Sequence, residues 1–216
     1  MKHLRTLGLA AMAIAAVMAF TAASASATEL YGNGTTLKAG TLLTSTLSGT
    51  ASLTTTGGTV LDTCTGGSVS GKTSNTGSSG VAVSGNVEKT GVTWTGCTKT
   101  TDTLEGGSLE IAYTSGLNGS VSGKGFKVTV EMVAEFGGTC SYTLGTAGTK
   151  LGELKGATSG DATLAINAVV NGASGNSFLC PSDTKWVANY TVTSAKVFDA
   201  EGKETASYTS VHVTNA

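Results

Sequence analysis

Phe126-Lys127-Val128-Thr129-Val130-Glu131-Met132 is the stretch that decides the fold class of this chain. In an extended backbone its apolar side chains fall on one face and Lys127, Thr129 and Glu131 on the other, the period of two that a half-buried strand requires. The same alternation returns on both sides of it. Leu109, Ile111 and Tyr113 alternate with Glu110 and Ala112; Leu164, Ile166, Ala168 and Val170 alternate around Ala165, Asn167 and Val169. Trp186, Ala188, Tyr190 and Val192 form a fourth such set. Weaker strand candidates lie at 37–47, 51–55, 59–64, 81–87, 92–97, 139–144 and 208–213. No segment after Thr28 carries a helical stripe.

Between these segments stand Gly57-Gly58, Gly66-Gly67, Gly106-Gly107, Asn118-Gly119, Gly137-Gly138 and Asn171-Gly172. Such pairs supply the positive φ of tight hairpin turns and are expected to be the turns here. The reading is therefore all-β: an antiparallel β-sandwich, or a partly closed barrel, of about a dozen short strands. With no Pro-rich or charged linker, residues 28–216 are expected to form a single domain. Gly66 to Gly80, almost free of large side chains, reads as a mobile loop or a polar edge hairpin. Gly67-Ser68-Val69-Ser70-Gly71-Lys72 is echoed by Gly119-Ser120-Val121-Ser122-Gly123-Lys124, a similarity that a chain rich in Gly, Ser and Thr produces by chance.

Composition agrees with the periodicity. The 216 residues include 38 Thr, 31 Gly and one Pro, and only 12% are charged. A helical bundle would use Ala, Leu, Glu, Lys and Arg, and collagen would need far more Pro. Regularly spaced Val, Leu and Ile with little charge exclude charge-driven disorder. Thr is β-branched and suits the wet face of a sheet, which accounts for its excess better than a glycosylated stalk, normally Pro-rich.

The first 27 residues read as a secretory signal peptide: basic Lys2, His3 and Arg5, an apolar run from Leu7 to Ala23, then Ala23-Ser24-Ala25-Ser26-Ala27 with two small-residue cleavage sites. Cleavage after Ala27 is favoured, with Ala25 the alternative. The expected product is secreted, extracellular and not an integral membrane protein. Beyond residue 27 there is no Arg, one His, and 11 Lys against 14 acidic residues. Nucleic-acid readers depend on basic clusters and on Arg in particular, so nucleic acid is not an expected partner.

Cys64, Cys97, Cys140 and Cys180 all lie in the exported part. An even number in an oxidising compartment reads as two disulfides. Three pairings are open; Cys64–Cys97 with Cys140–Cys180 is preferred because each closes a local loop. No CxxC and no second His are present for a metal, so neither metal nor cofactor is expected.

Catalytic groups are sparse. His212 has no G-x-S-x-G elbow to serve and is expected to be an exposed strand residue. Glu110 and Glu131 read as outward-facing sheet charges, Glu135 stands beside the same strand, and Asp102 and Glu105 fall in a turn without the ligand spacing of a calcium loop. The aromatics are the remaining candidates. Trp94, Trp186 and Tyr190 are the named ligand-binding residues, against the plainer expectation that both Trp fill the core. The sequons at Asn33, Asn118 and Asn189 matter only in a host that glycosylates them.

Thr36-Leu37-Lys38-Ala39-Gly40-Thr41, Ser48-Gly49-Thr50-Ala51, Gly58-Thr59-Val60-Leu61-Asp62-Thr63-Cys64 and Thr93-Trp94-Thr95-Gly96-Cys97 together resemble uncharacterised secreted Thr/Gly-rich four-Cys proteins of soil actinobacteria. More remotely, by texture and a Trp near a Cys, the chain is similar to the secreted alkane-oxidation activator family. That likeness implies a small exported β protein linked to hydrophobic substrates and transfers no catalytic residue. The neocarzinostatin-like carriers share the composition, but their short Cys loops do not match these gaps. The functional expectation is a non-enzymatic extracellular or envelope protein with a structural or binding role. Alternatives are a carrier of a hydrophobic small molecule or carbohydrate and, least, a carboxylate-dependent hydrolase.

Overall fold

A computed structural model describes residues 27–99, 103–132, 138–144 and 148–215. The signal-peptide reading of residues 1–26 lies outside them, as do Asp102 and Glu135. Among the described residues all strand pairing is antiparallel, and the one helical element is a single 3₁₀ turn at Lys89–Gly91.

The chain opens with β1 (Glu29–Gly32) and β2 (Thr35–Thr36), then traces four long hairpins. The first rises through β3 (Leu42–Leu47) and β4 (Ala51–Thr55) and returns through β5 (Val60–Cys64) and β6 (Gly66–Thr73). The second comprises β7 (Val83–Val87), β8 (Val92–Thr95), β9 (Thr103–Glu105) and β10 (Gly107–Ser115). The third is built of β11 (Asn118–Lys124), β12 (Lys127–Met132), β13 (Gly138–Thr143) and β14 (Thr149–Lys155). The fourth consists of two unbroken strands, β15 (Ala162–Gly172) and β16 (Asp183–Phe198). β17 (Glu204–Tyr208) and β18 (Val211–Thr214) complete the chain.

Eight strands close on themselves in the order β3-β6-β7-β10-β11-β14-β15-β16, with β16 returning to β3. These are consecutive along the chain once the intervening strands are set aside, so the core is an up-and-down barrel. The all-β, antiparallel expectation is borne out, realised as a closed barrel with outer strands. Closure pairs Leu47 with Tyr190 and Leu42 with Lys196.

The intervening strands form an upper storey on the same plan. β3 and β4 pair with successive stretches of β16, and β7 and β8 with successive stretches of β6. Each such pair is one strand broken at mid-height. Gly49 and Gly125 stand at two of the breaks with φ of 81° and 75°, a conformation nearly free of penalty only for Gly. The upper storey runs β5-β4-β16-β15-β13-β12-β9. Its two disulfides are Cys64–Cys97, joining the end of β5 to the residues after β8, and Cys140–Cys180, joining β13 to the β15–β16 loop. Both are the pairings preferred from loop length.

The lower end is capped by a separate sheet, β18-β1-β2, which brings the two ends of the described chain together. Asn33-Gly34, with φ of 49° and 81°, turns β1 into β2 in the type I′ manner. Leu30, Leu37, Val211 and Val213 are buried. The cap is fastened by Thr28 Oγ1, which accepts from Tyr113 N at 3.0 Å, and by Val213 N donating to Leu117 O at 3.0 Å.

Three expectations change. Gly66 to Gly80 is the hairpin of its two readings, but not at an edge: Gly66–Thr73 is a barrel strand bonded on both sides, and the residues after it lead to its partner β7. Of the Gly and Asn-Gly pairs, Gly66-Gly67, Asn118-Gly119 and Asn171-Gly172 lie within strands, and Gly106-Gly107 leads from β9 into β10. Gly137 is outside the described residues, leaving Gly57-Gly58 as the pair that turns a hairpin. His212 is buried rather than exposed. Its neighbours Val211 and Val213 turn toward the barrel, while its own ring stacks on Tyr31 at 5.6 Å and the residue lies so close to Gly156 that a Cβ there would come within 2.6 Å of the His212 Cβ.

Candidate functional site: an apolar lumen

Period-two alternation on a closed barrel sends one set of side chains into the lumen. From β15 these are Leu164, Ile166, Ala168 and Val170; opposite them across the ladder stand Tyr190, Ala188, Trp186 and Thr184 of β16. Leu53 of β4 faces Trp186, and Val128 of β12 faces Leu104 on one side and Tyr142 on the other. The outward set is polar. Ser68, Ser70 and Lys72 alternate with Val69 and Gly71, and Ser120, Ser122 and Lys124 with Val121 and Gly123. The two echoed hexapeptides thus build the same kind of wall: Ser outside, a Val inside, and inward Gly that contributes no bulk.

These walls do not fill the interior. A cavity of about 80 Å³ occupies the lower storey and one of about 120 Å³ the upper. Val69, Val87, Leu109, Val121 and Leu164 border both, forming a waist. Inward-facing Leu109, Ile111, Leu164, Ile166 and Trp186 pack against the buried core cluster yet are only half-buried. In a barrel packed to ordinary interior density such side chains would lose nearly all accessible surface. Glycine in the wall lets its neighbours close in: at Gly123 an added Cβ would lie 2.6 Å from Leu151 Cδ1 and 3.3 Å from Leu109 Cδ2, so those side chains take the place of its own.

The three aromatic residues named from sequence meet in the upper cavity. Trp94 and Trp186 pack edge to face, ring centroids 5.4 Å apart, an arrangement that aromatic quadrupoles favour. Trp94 Nε1 donates to Tyr190 Oη at 3.4 Å. Burial pushes the Tyr190 phenol above its ordinary range, and donation from the Trp94 and Trp186 indoles partly offsets this. Both Trp are half-buried, lining the cavity rather than sealing it, whereas Tyr190 is buried. Trp94 and Trp186 lie 92 positions apart in sequence and meet because β6 carries β8 while β16 closes the barrel.

Tyr142, which sequence reading set among the general aromatics, is the residue it undervalued. It lines the same cavity and is fully buried, and among the described residues its hydroxyl has no hydrogen-bond partner. Burial raises its phenol to about 12. Its place in the weak candidate strand at 139–144, alternating with Cys140 and Leu144, is the signal that could have found it.

Elsewhere the titratable groups serve structure. Glu110 pairs with Lys124 at 3.3 Å and Glu105 with Lys127 at 3.1 Å, both at the surface. The side chain of Glu131 is not among those described. Among the described residues one cluster has metal-ligand spacing: Asp62, Cys64 and Cys97. Its sulfurs are joined in a disulfide and offer no thiolate, the form that ligates metals. Asp62 is instead a structural anchor, accepting from Thr98 Oγ1 at 2.7 Å, Thr63 N at 2.8 Å and Lys99 N at 3.0 Å. Among the described residues no helix is long and apolar enough to cross a membrane.

No protein-family model matches this chain, and neither curated proteins nor solved structures offer a match.

Proposed function

We propose that this protein is an exported, non-enzymatic binding protein that carries a small apolar molecule inside its barrel. The observation behind this reading is the lumen, two adjoining apolar cavities with half-buried Leu, Ile and Trp side chains around them. Eight-stranded barrels have an interior just wide enough to be filled by side chains or to hold one small ligand. A dry cavity of about 150 Å³ lined by such groups takes a benzene-sized guest, so the upper cavity matches a small ring and both in series an elongated chain. A sugar would have to bury its hydroxyls against apolar walls, which is costly without partners. Export rests on the basic, apolar and small-residue order of residues 1–27, and two disulfides suit an oxidising destination.

The test uses Trp94 and Trp186 as reporters. Titrating the purified, oxidised protein with small hydrocarbons and their neutral derivatives should shift or quench Trp fluorescence saturably. Val69→Phe, which adds bulk at the waist, should weaken that response at least tenfold while the folded spectrum persists. Absence of any response in the wild-type protein defeats the reading. So does turnover of a glycan or ester panel that a single Glu→Gln substitution abolishes.

A further inference from the structure

The rings on the lumen wall all stand in one storey. Trp94, Phe126, Tyr142, Trp186 and Tyr190 line the upper cavity, and no ring-bearing side chain lines the lower one. Leu43, Val83, Ile111, Leu154 and Val192, all aliphatic, line the lower cavity alone. Size divides the storeys in the same way. A dry apolar cavity of about 150 Å³ takes a benzene ring. The upper cavity, about 120 Å³, comes near that, whereas the lower, about 80 Å³, has room for a chain but not for a ring. On β15 the inward residue opposite Trp186 is Ala168, the smallest of its set, so the wall recedes where the indole pair stands. Trp94 and Trp186 already pack edge to face, and a third ring beside them can extend the same favoured geometry. No charged side chain lines the upper cavity, and Lys72, the one charged residue along the lower, belongs to the outward set and is exposed. An ionised guest would lose its hydration there without a counter-charge.

We propose that the guest is a neutral molecule of the alkylbenzene class, with one aromatic ring in the upper cavity beside Trp94 and Trp186 and a short unbranched alkyl chain passing the waist into the lower cavity. The side chains of the waist are all Val and Leu, so a chain that crosses it meets no polar group in need of a partner. A plain alkane would occupy both cavities without the ring-to-ring contact, and a fused polycycle would exceed the lower one.

This inference rests on the apolar-lumen reading, and the experiment separates the two. Toluene, propylbenzene and propylcyclohexane are equilibrated with the oxidised protein, and the bound fraction is measured by headspace gas chromatography. Propylbenzene should bind about tenfold more tightly than toluene because its longer chain is buried. Leu43→Phe or Ile111→Phe, which add bulk to the lower cavity alone, should bring that ratio within about threefold and leave toluene affinity within about twofold of wild type. The ratio of propylbenzene to propylcyclohexane affinity, in which transfer from water cancels between proteins, should fall about fivefold in Trp186→Leu or Trp94→Leu. In the wild-type complex, nuclear Overhauser contacts should join the ring protons of propylbenzene to the Trp186 indole and its terminal methyl to Leu43 and Ile111, a readout that needs no substituted protein. A ring ratio unchanged in both Trp variants, a chain ratio unmoved by both lower-cavity substitutions, or a terminal methyl that contacts the indoles in place of the ring overturns the ring-and-chain assignment and leaves the lumen reading standing. Failure of all three compounds to bind overturns both.

Discussion

At the scale of single residues, the molecule places polar groups in two contrasting ways. Asp62 is buried, yet its carboxylate is satisfied by a hydroxyl and two backbone amides and ties β5 to the chain after β8. Tyr142 is equally buried, and its hydroxyl finds no partner among the described residues. That difference has a pH consequence. Burial raises the Tyr142 phenol from its ordinary 10.0 to about 12, so the folded state holds the proton more tightly than the unfolded state does. The associated stability is fully present below pH 10 and is lost as pH rises from 10 toward 12. Urea midpoints measured across this range should fall, and they should fall less steeply in Tyr142→Phe. Superimposable pH curves for the two proteins would show that Tyr142 stays accessible to hydroxide.

At the scale of elements, the same side-chain economy does different work in different places. Glycine reads in sequence as turn punctuation, but Gly71 and Gly123 stand within the barrel wall, and Gly49 and Gly125 break long strands at mid-height. A residue without a side chain serves all three purposes, so the Gly pattern alone could not separate them. The periodic segments were legible because alternation is local: β12, β15 and β16 fall where Val128, Ile166 and Trp186 predict them. The wall strand Gly66–Thr73 was illegible because its inward positions are filled largely by Gly and a single Val. The loop between β15 and β16 owes its fixed position to Cys140–Cys180 and to Asn176, whose amide bonds Ser141 on both sides. Replacing both cysteines by Ser releases a closed loop of sequence separation 40 and should cost roughly 4 kcal/mol in denaturant unfolding. A loss below about 1 kcal/mol would mean that Asn176 alone holds the loop.

For the molecule as a whole, closure is the governing event. β3 must find β16, with Leu47 opposite Tyr190, before the lumen exists. Contacts so distant in sequence have to overcome loop-closure entropy before they contribute, and all-β topologies of this kind fold in milliseconds to seconds. Stopped-flow refolding with disulfides intact should therefore be slower than about a millisecond, with Trp fluorescence reporting the last step because Trp94 and Trp186 meet only in the closed barrel. A sub-millisecond Trp signal would place that contact before closure.

By itself the sequence determined the fold class, through period-two alternation and β-branched composition, and it singled out Trp94, Trp186, Tyr190 and the preferred cysteine pairs. Each of these is a property of residue type at short range or of loop length. Only the tertiary structure decided that the strands close into a barrel, that the two Trp flank a cavity, and that the Tyr142 hydroxyl is buried without a hydrogen-bond partner among the described residues. Those outcomes depend on which strands become neighbours across more than a hundred residues. Alternation shows that a side chain points inward; only closure shows whether the inside is full.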